Sequence, residues 1–212
     1  MDVCEILKSA GIVPVIVIED AEKATPLAET LVKGGLPVLE VTFRTAAAAE
    51  AISRIKAGVP GCVIGAGTLL TRPQVKAAKE AGAEFGVAPG FDPSVVSYAQ
   101  ELGLPMIPGV ATASELSQAL TAGVSVVKFF PAEAAGGVKM IKNLLGAFRS
   151  TGVRFMPTGG ITAANAGEYL AVPEIIACGG TWVVPKDALA AGDWGRIGAI
   201  AAEAASIVRN RA

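Results

Sequence analysis

The sequence predicts an α/β fold, a (β/α)8 TIM barrel that takes in residues 1–212 as a single domain. Three observations predict it. Eight short apolar runs begin about 20 to 28 residues apart. The runs are near-continuous rather than alternating, as parallel strands covered on both faces require. Between them lie alanine-rich stretches with helical spacing. A doubly wound open sheet is the alternative. It usually has fewer strands, and no shift in composition divides this chain.

The strand-like runs are residues 12–18, 38–43, 63–68, 85–89, 106–110, 126–130, 154–157 and 175–178. The first helical stretch, 21–33, sets Ala24, Leu27, Ala28, Leu31 and Val32 on one stripe. The alanine run 46–49 reads as the start of a second helix. In 112–122 the stripe is Leu116, Ala119 and Leu120, and Thr112 with Glu115 forms a capping box that opens the helix. Gly34-Gly35, Gly82, Gly103 and Gly123 close helices, as C-terminal glycines do. A last helix over 194–208 completes eight β/α units.

Composition excludes several classes of function. Of 212 residues, 52% are hydrophobic, 17% are charged and the formal net charge is −1. Such a chain buries a core and is not disordered. It has no bulk attraction for nucleic acid or anionic membrane. The absence of histidine excludes Ser-His-Asp and Cys-His catalysis and any His-ligated metal. Proton transfer falls to Lys, Asp, Glu, Cys or Tyr. The start, Met1-Asp2-Val3-Cys4-Glu5, lacks the positive region of a signal peptide. Residues 12–18 contain Pro14 and fall far short of the roughly 20 apolar residues of a spanning helix. Cys4, Cys62 and Cys178 form no paired motif and read as buried thiols. A cytoplasmic protein is expected.

In a barrel, chemistry gathers at the C-terminal ends of the strands. Polar residues inside apolar runs are therefore informative, because burying charge is costly. Lys128, in Val126-Val127-Lys128-Phe129-Phe130-Pro131, is the only one of ten lysines inside such a run. A solvated lysine has a pKa of about 10.4 and is almost wholly protonated at pH 7. Burial is one way to free the amine for imine chemistry. The other reading of Lys128 is a structural pair with a barrel carboxylate. Strand alternation puts Glu40, Thr42 and Arg44 on one face. Glu40 could serve as general acid/base and Arg44 as a carboxylate clamp. A structural Glu–Arg pair is the alternative.

Thr158-Gly159-Gly160 ends the seventh unit and Gly179-Gly180-Thr181 the eighth, where barrels often build phosphate sites. Plain turns are the alternative. Gly65-Ala66-Gly67-Thr68 lacks the third glycine of a dinucleotide fingerprint, since position 70 is Leu. Pro89-Gly90 and Pro108-Gly109 read as sharp turns, and Trp182 and Trp194 as packing.

Taken together, the sequence resembles the 2-keto-3-deoxy-6-phosphogluconate (KDPG) and 4-hydroxy-2-oxoglutarate (KHG) aldolase family nearly end to end. The matching segments are Val13-Pro14-Val15-Ile16, Glu40-Val41-Thr42-Phe43-Arg44-Thr45, Gly65-Ala66-Gly67-Thr68, Pro108-Gly109, Lys128-Phe129-Phe130-Pro131-Ala132-Glu133, Pro157-Thr158-Gly159-Gly160-Ile161 and Gly179-Gly180-Thr181-Trp182. The resemblance implies a homotrimeric class I aldolase acting on a phosphorylated 2-keto-3-deoxy sugar acid, with neither cofactor nor metal. It implies Lys128 as Schiff-base lysine and Glu40 as general acid/base. Arg44 and Thr68 match residues that hold the substrate carboxylate, and Gly159, Gly160, Gly180 and Thr181 match the phosphate site. The Arg-Thr after the second-strand glutamate resembles the phosphogluconate and hydroxyoxoglutarate branch rather than the phosphogalactonate one. Ala88 and Thr181 stand where relatives often carry Ser, and Ala135 where some carry Asn. Another phosphate-binding barrel enzyme, an isomerase or synthase, or a 2-keto-3-deoxy-6-phosphogalactonate aldolase, is the rival reading. A non-catalytic assembly module is a third.

Overall fold

The computed structural model describes residues 2–210, and its strands close into a ring. Helix α1 (Val3–Ala10) precedes strand β1 (Ile12–Ile16). Then α2 (Ala24–Lys33), β2 (Val38–Thr42), α3 (Ala48–Gly58), β3 (Val63–Gly67), α4 (Arg72–Glu80), β4 (Phe85–Val87) and α5 (Pro93–Glu101) alternate. The fifth barrel strand comes in two pieces, β5 (Met106–Ile107) and β6 (Gly109–Val110). After α6 (Ala113–Thr121) follow β7 (Val126–Phe129), α7 (Gly137–Phe148), β8 (Arg154–Pro157), α8 (Ala166–Leu170) and β9 (Cys178–Gly180). Helices α9 (Lys186–Ala191) and α10 (Trp194–Arg209) end the chain's described part.

All pairings are parallel, in the orders β5-β4-β3-β2-β1-β9 and β6-β7-β8. Two joints turn these sheets into one ring. Pro108 has no N–H to donate, and on either side of it the strand changes partner. Ile107 pairs with Val87 of β4, whereas Gly109 pairs with Lys128 of β7. The second joint is a pair of bridges, Phe155 with Ile175 and Thr158 with Gly179. Eight wall positions result, as the spacing of the apolar runs predicts.

The helix signals are realised where the sequence sets them. Thr112 caps α6 by accepting from the Glu115 N–H at 3.3 Å, and the Glu115 carboxylate accepts from Thr112 N at 2.9 Å. Gly35, Gly82, Gly103 and Gly123 follow α2, α4, α5 and α6 in left-handed backbone. Two elements differ from expectation. Helix α1 lies ahead of the first strand, where only later helices are expected. Asp2 caps it, accepting from Cys4 N at 2.9 Å, and Leu7 and Ala10 are its buried face. The eighth strand pairs with β1 through Cys178, Gly179 and Gly180, further along than the apolar run 175–178. Its glycines leave no apolar trace in the sequence.

Side chains alternate along each strand and sort into two cores. Leu39, Val41, Ile64, Ala66, Val127, Phe129 and Phe155 face the surrounding helices. Val13, Val38, Phe85, Val87, Ile107, Val126 and Met156 fill the barrel's interior, with Leu7 and Ala10 of α1 among them. Helix α1 thus plugs the N-terminal mouth. Each such aliphatic side chain contributes about 1.5–3 kcal/mol on burial. Among the described residues the buried polar side chains are Glu40, Thr42, Lys128 and Thr158, and alternation sets them toward the C-terminal half of the lumen. No helix among the described residues is long and apolar enough to cross a membrane.

Candidate active site

Strand β2 sends Val38, Glu40 and Thr42 inward, because Leu39 and Val41 pack outward against helices. Strand β7 does the same with Val126 and Lys128. In the ring these two strands stand on opposite walls, four positions apart either way. Their charged side chains meet across the lumen. Lys128 Nζ lies 3.7 Å from Glu40 Oε1, with the two side chains 5% and 0% exposed. The ammonium also sits over the Phe130 ring, 5.1 Å from its centroid. Neither Glu40 oxygen accepts a hydrogen bond from the described residues. A buried carboxylate so held is a poor stabilising element. It is suited to a site where protons move.

Room for that carboxylate comes from Gly67. A β-carbon there would stand 2.1 Å from Glu40 Oε1. Gly65 likewise leaves space for the Phe85 ring, 2.2 Å from where its β-carbon would be. The G-x-G of β3 is thus an interior clearance and not a nucleotide loop. Sequence reasoning discounted the nucleotide role but missed this one.

Beyond Thr42 the chain leaves the barrel, and Arg44 emerges at the C-terminal mouth. The Arg44 Nε donates to Thr68 Oγ1 at 3.4 Å, and it makes no ion pair with Glu40. Thr68 has φ of +57°, a left-handed backbone that a β-branched residue rarely adopts. Thr42 and Thr45 anchor the same loop by donating to the carbonyls of Ile16 at 2.9 Å and Ile18 at 2.5 Å.

A small recess of about 70 Å³ opens above Lys128, walled by Val15, Arg44, Phe130, Thr158, Gly159, Gly160, Ile161, Gly179 and Thr181. Gly159 and Gly160 have φ of +101° and +81°. Successive left-handed glycines of this kind form a concave backbone that suits an anion. Thr158 Oγ1 is buried at the wall without a partner, and Gly179 leaves space for it. Gly180 does not line the recess. It pairs with Pro14, and its missing β-carbon makes way for the Trp182 ring. Val15, Phe130, Thr158, Ile161 and Gly179 are wall residues beyond those singled out from the sequence. Phe130, Thr158 and Gly179 lie within motifs that were singled out for their neighbours. A groove past Arg44, Thr181, Pro185 and Lys186 leads outward from the recess.

Other nucleophiles are set aside by their surroundings. Burial pushes the Cys62 thiol up to about 12. No group of three or more His, Cys, Asp or Glu among the described residues is placed to hold a metal ion.

A family model described as KDPG and KHG aldolase matches residues 3–200. The KHG/KDPG aldolase of Escherichia coli K12 is 47% identical over 199 residues, 94% of this chain and 92% of that protein. The 2-keto-3-deoxy-6-phosphogluconate aldolase of Zymomonas mobilis ZM4, solved with 3-phosphoglycerate, superposes with a TM-score of 0.90 at 45% identity. That match covers 97% of this chain and 96% of the other. The KDPG aldolase of Legionella pneumophila holds pyruvate captured at low pH as a covalent carbinolamine. It superposes with a TM-score of 0.91 at 40% identity, covering 95% and 97% of the two chains.

Proposed function

The chain belongs to the KDPG and KHG aldolase family, and on that premise we propose that it is a class I aldolase splitting KDPG into pyruvate and glyceraldehyde 3-phosphate. It would also split 4-hydroxy-2-oxoglutarate into pyruvate and glyoxylate. The observation that carries the reading is the buried pair, Lys128 Nζ at 3.7 Å from Glu40 Oε1, below an open recess.

In this reading Lys128 passes a proton to Glu40, and the freed amine attacks the substrate's C2 ketone to give a carbinolamine. Glu40 delivers a proton to the departing hydroxyl, water leaves, and a protonated imine remains. Glu40, again a base, takes the C4 hydroxyl proton directly or through one water. The C3–C4 bond breaks, its electron pair moves into the imine, and the aldehyde departs. The resulting enamine is protonated at C3, and water releases pyruvate from Lys128. Glu40 is wholly covered, so its proton reaches substrate only at the recess floor beside Lys128. Arg44, whose Nε donates to Thr68 Oγ1 at 3.4 Å, pairs with the substrate carboxylate at the mouth in this reading. The backbone turn at Gly159 and Gly160, with the Thr181 hydroxyl, suits the phosphate end.

Borohydride reduction in the presence of pyruvate, followed by peptide mass spectrometry, tests the reading. A pyruvyl adduct on Lys128, absent in Lys128→Ala together with turnover, is expected. No adduct on a folded protein would return a phosphate-binding isomerase or synthase to the front. Turnover that survives Lys128→Ala would remove the lysine from the mechanism. Family kinship also supports a homotrimeric, cytoplasmic enzyme, and light scattering on the purified protein counts the subunits.

A further inference from the structure

Behind the recess, two residues that do not line it meet beneath the glycine loop. Tyr169 of α8 is 1% exposed, and its hydroxyl donates to Glu133 Oε1. Burial, reinforced by that carboxylate, pushes the phenol well above its ordinary range, so it stays a donor. Glu133 is stitched to the loop by its backbone. Ala132 N donates to Thr158 O at 2.8 Å, and Glu133 N donates to Gly159 O at 3.0 Å. Its side chain lies on Gly160, whose β-carbon, if present, would stand 2.5 Å from Glu133 Cγ. From the other side Asn165 Nδ2 donates to Gly160 O at 3.1 Å.

We propose that the Glu133–Tyr169 pair is a positioning device that sets the Gly159–Gly160 loop for the phosphate end of the substrate, and so controls preference for phosphorylated over unphosphorylated substrates. The inference rests on the proposed phosphate role of that loop. Two effects act together. The hydrogen bond fixes the carboxylate, and with it the methylenes that support Gly160. It also keeps a negative charge turned toward α8 and away from an incoming phosphate. Without the hydroxyl, the exposed carboxylate is free to swing toward the loop and repel the anion.

The test compares KDPG with 4-hydroxy-2-oxoglutarate as substrates. Tyr169→Phe and Glu133→Ala should each raise KM for KDPG about tenfold, the loss of one hydrogen bond to a charged group. Their kcat for KDPG and kcat/KM for the unphosphorylated substrate should stay within about twofold of wild type. Glu133→Gln, whose amide oxygen accepts the same hydrogen bond, should restore KM. A merely structural role would lower activity on both substrates together and would overturn the inference, as would an unchanged KM for KDPG in Tyr169→Phe. Inorganic phosphate as an inhibitor separates the two failures. If it competes with KDPG in wild type, and Thr181→Val weakens it, the phosphate reading stands whatever Tyr169→Phe does. If neither holds, the phosphate reading fails and this inference falls with it.

Discussion

Gly67 and Glu40 occupy one space between them: the β-carbon that Gly67 lacks would lie 2.1 Å from the Glu40 carboxylate oxygen. A glycine on β3 is therefore what lets a carboxylate on the neighbouring β2 turn inward. Gly67 has ordinary backbone angles, so Gly67→Ala is a steric test without backbone strain. The methyl group should displace Glu40 while leaving Lys128 in place. We expect kcat to fall on the order of 100-fold, the lower range for loss of a general acid/base. Overpacking should cost about 1–3 kcal/mol of stability. Pyruvate trapping on Lys128 should persist, though more slowly. Steady-state kinetics with wild-type kcat would show that Glu40's position does not matter.

Thr68 stores strain where it supports Arg44. A β-branched residue at φ of +57° costs on the order of 1–3 kcal/mol. Thr68→Gly removes that strain but adds about 0.5–1 kcal/mol of unfolded-state entropy to be lost. The hydroxyl that accepts from Arg44 Nε goes with it. Stability should therefore stay level or rise slightly, while KM for substrate rises several-fold. Denaturant unfolding and KM measured on the same preparation check both halves. A variant that is less stable yet binds normally would contradict the account.

How much of this is legible in the sequence depends on the distance each feature spans. Lys128 stands out locally, as a charge within an apolar run. The inward face shared by Glu40 and Thr42 follows from alternation alone. Their meeting does not. Strands β2 and β7 stand on opposite walls, so the 3.7 Å contact exists only once the ring has closed. Residues defined by what they lack are also hard to read. Gly67 and Gly179 work by leaving room for Glu40 and Thr158, and each partner is remote in sequence. Helix α1 is short, with two buried residues, too few to set up a periodic signal.

The capping box at α6 gives a pH-dependent contribution with a definite sign. The backbone N–H of Ala111 has the largest effect on the Glu115 carboxyl and lowers it; burial, next in size, opposes this, and the Thr112 hydroxyl and N–H add to the lowering, so the carboxyl is held below its ordinary range. A folded-state pKa below the unfolded one means stability present above the ordinary carboxylate value. That stability is lost as pH falls through the folded value. Glu115→Gln should be less stable than wild type by about 0.5–1 kcal/mol at pH 7. Urea midpoints of the two proteins should converge as pH falls through the lowered folded-state value. A gap that persists undiminished in acid would assign it to packing and not to charge.

The two ends of the barrel should separate stability from chemistry. Leu7 of α1 is fully buried and joins Val13, Val38, Val126 and Met156 in the interior core at the N-terminal mouth. Glu40 and Lys128 follow Val38 and Val126 by two residues on the same inward faces, so the core is the floor on which the pair stands. Leu7→Ala removes a packed side chain and leaves a cavity, a change worth about 2–5 kcal/mol. The cavity lies beneath that floor and the recess lies above it. Because the strands themselves hold Glu40 and Lys128, the loss should appear in the unfolding transition and not in turnover. Below its lowered Tm the variant should form the Lys128 adduct with pyruvate at the wild-type rate and keep kcat within about twofold. A kcat reduced in proportion to the lost stability would show that α1 positions the catalytic pair, and that the two ends of this barrel are coupled.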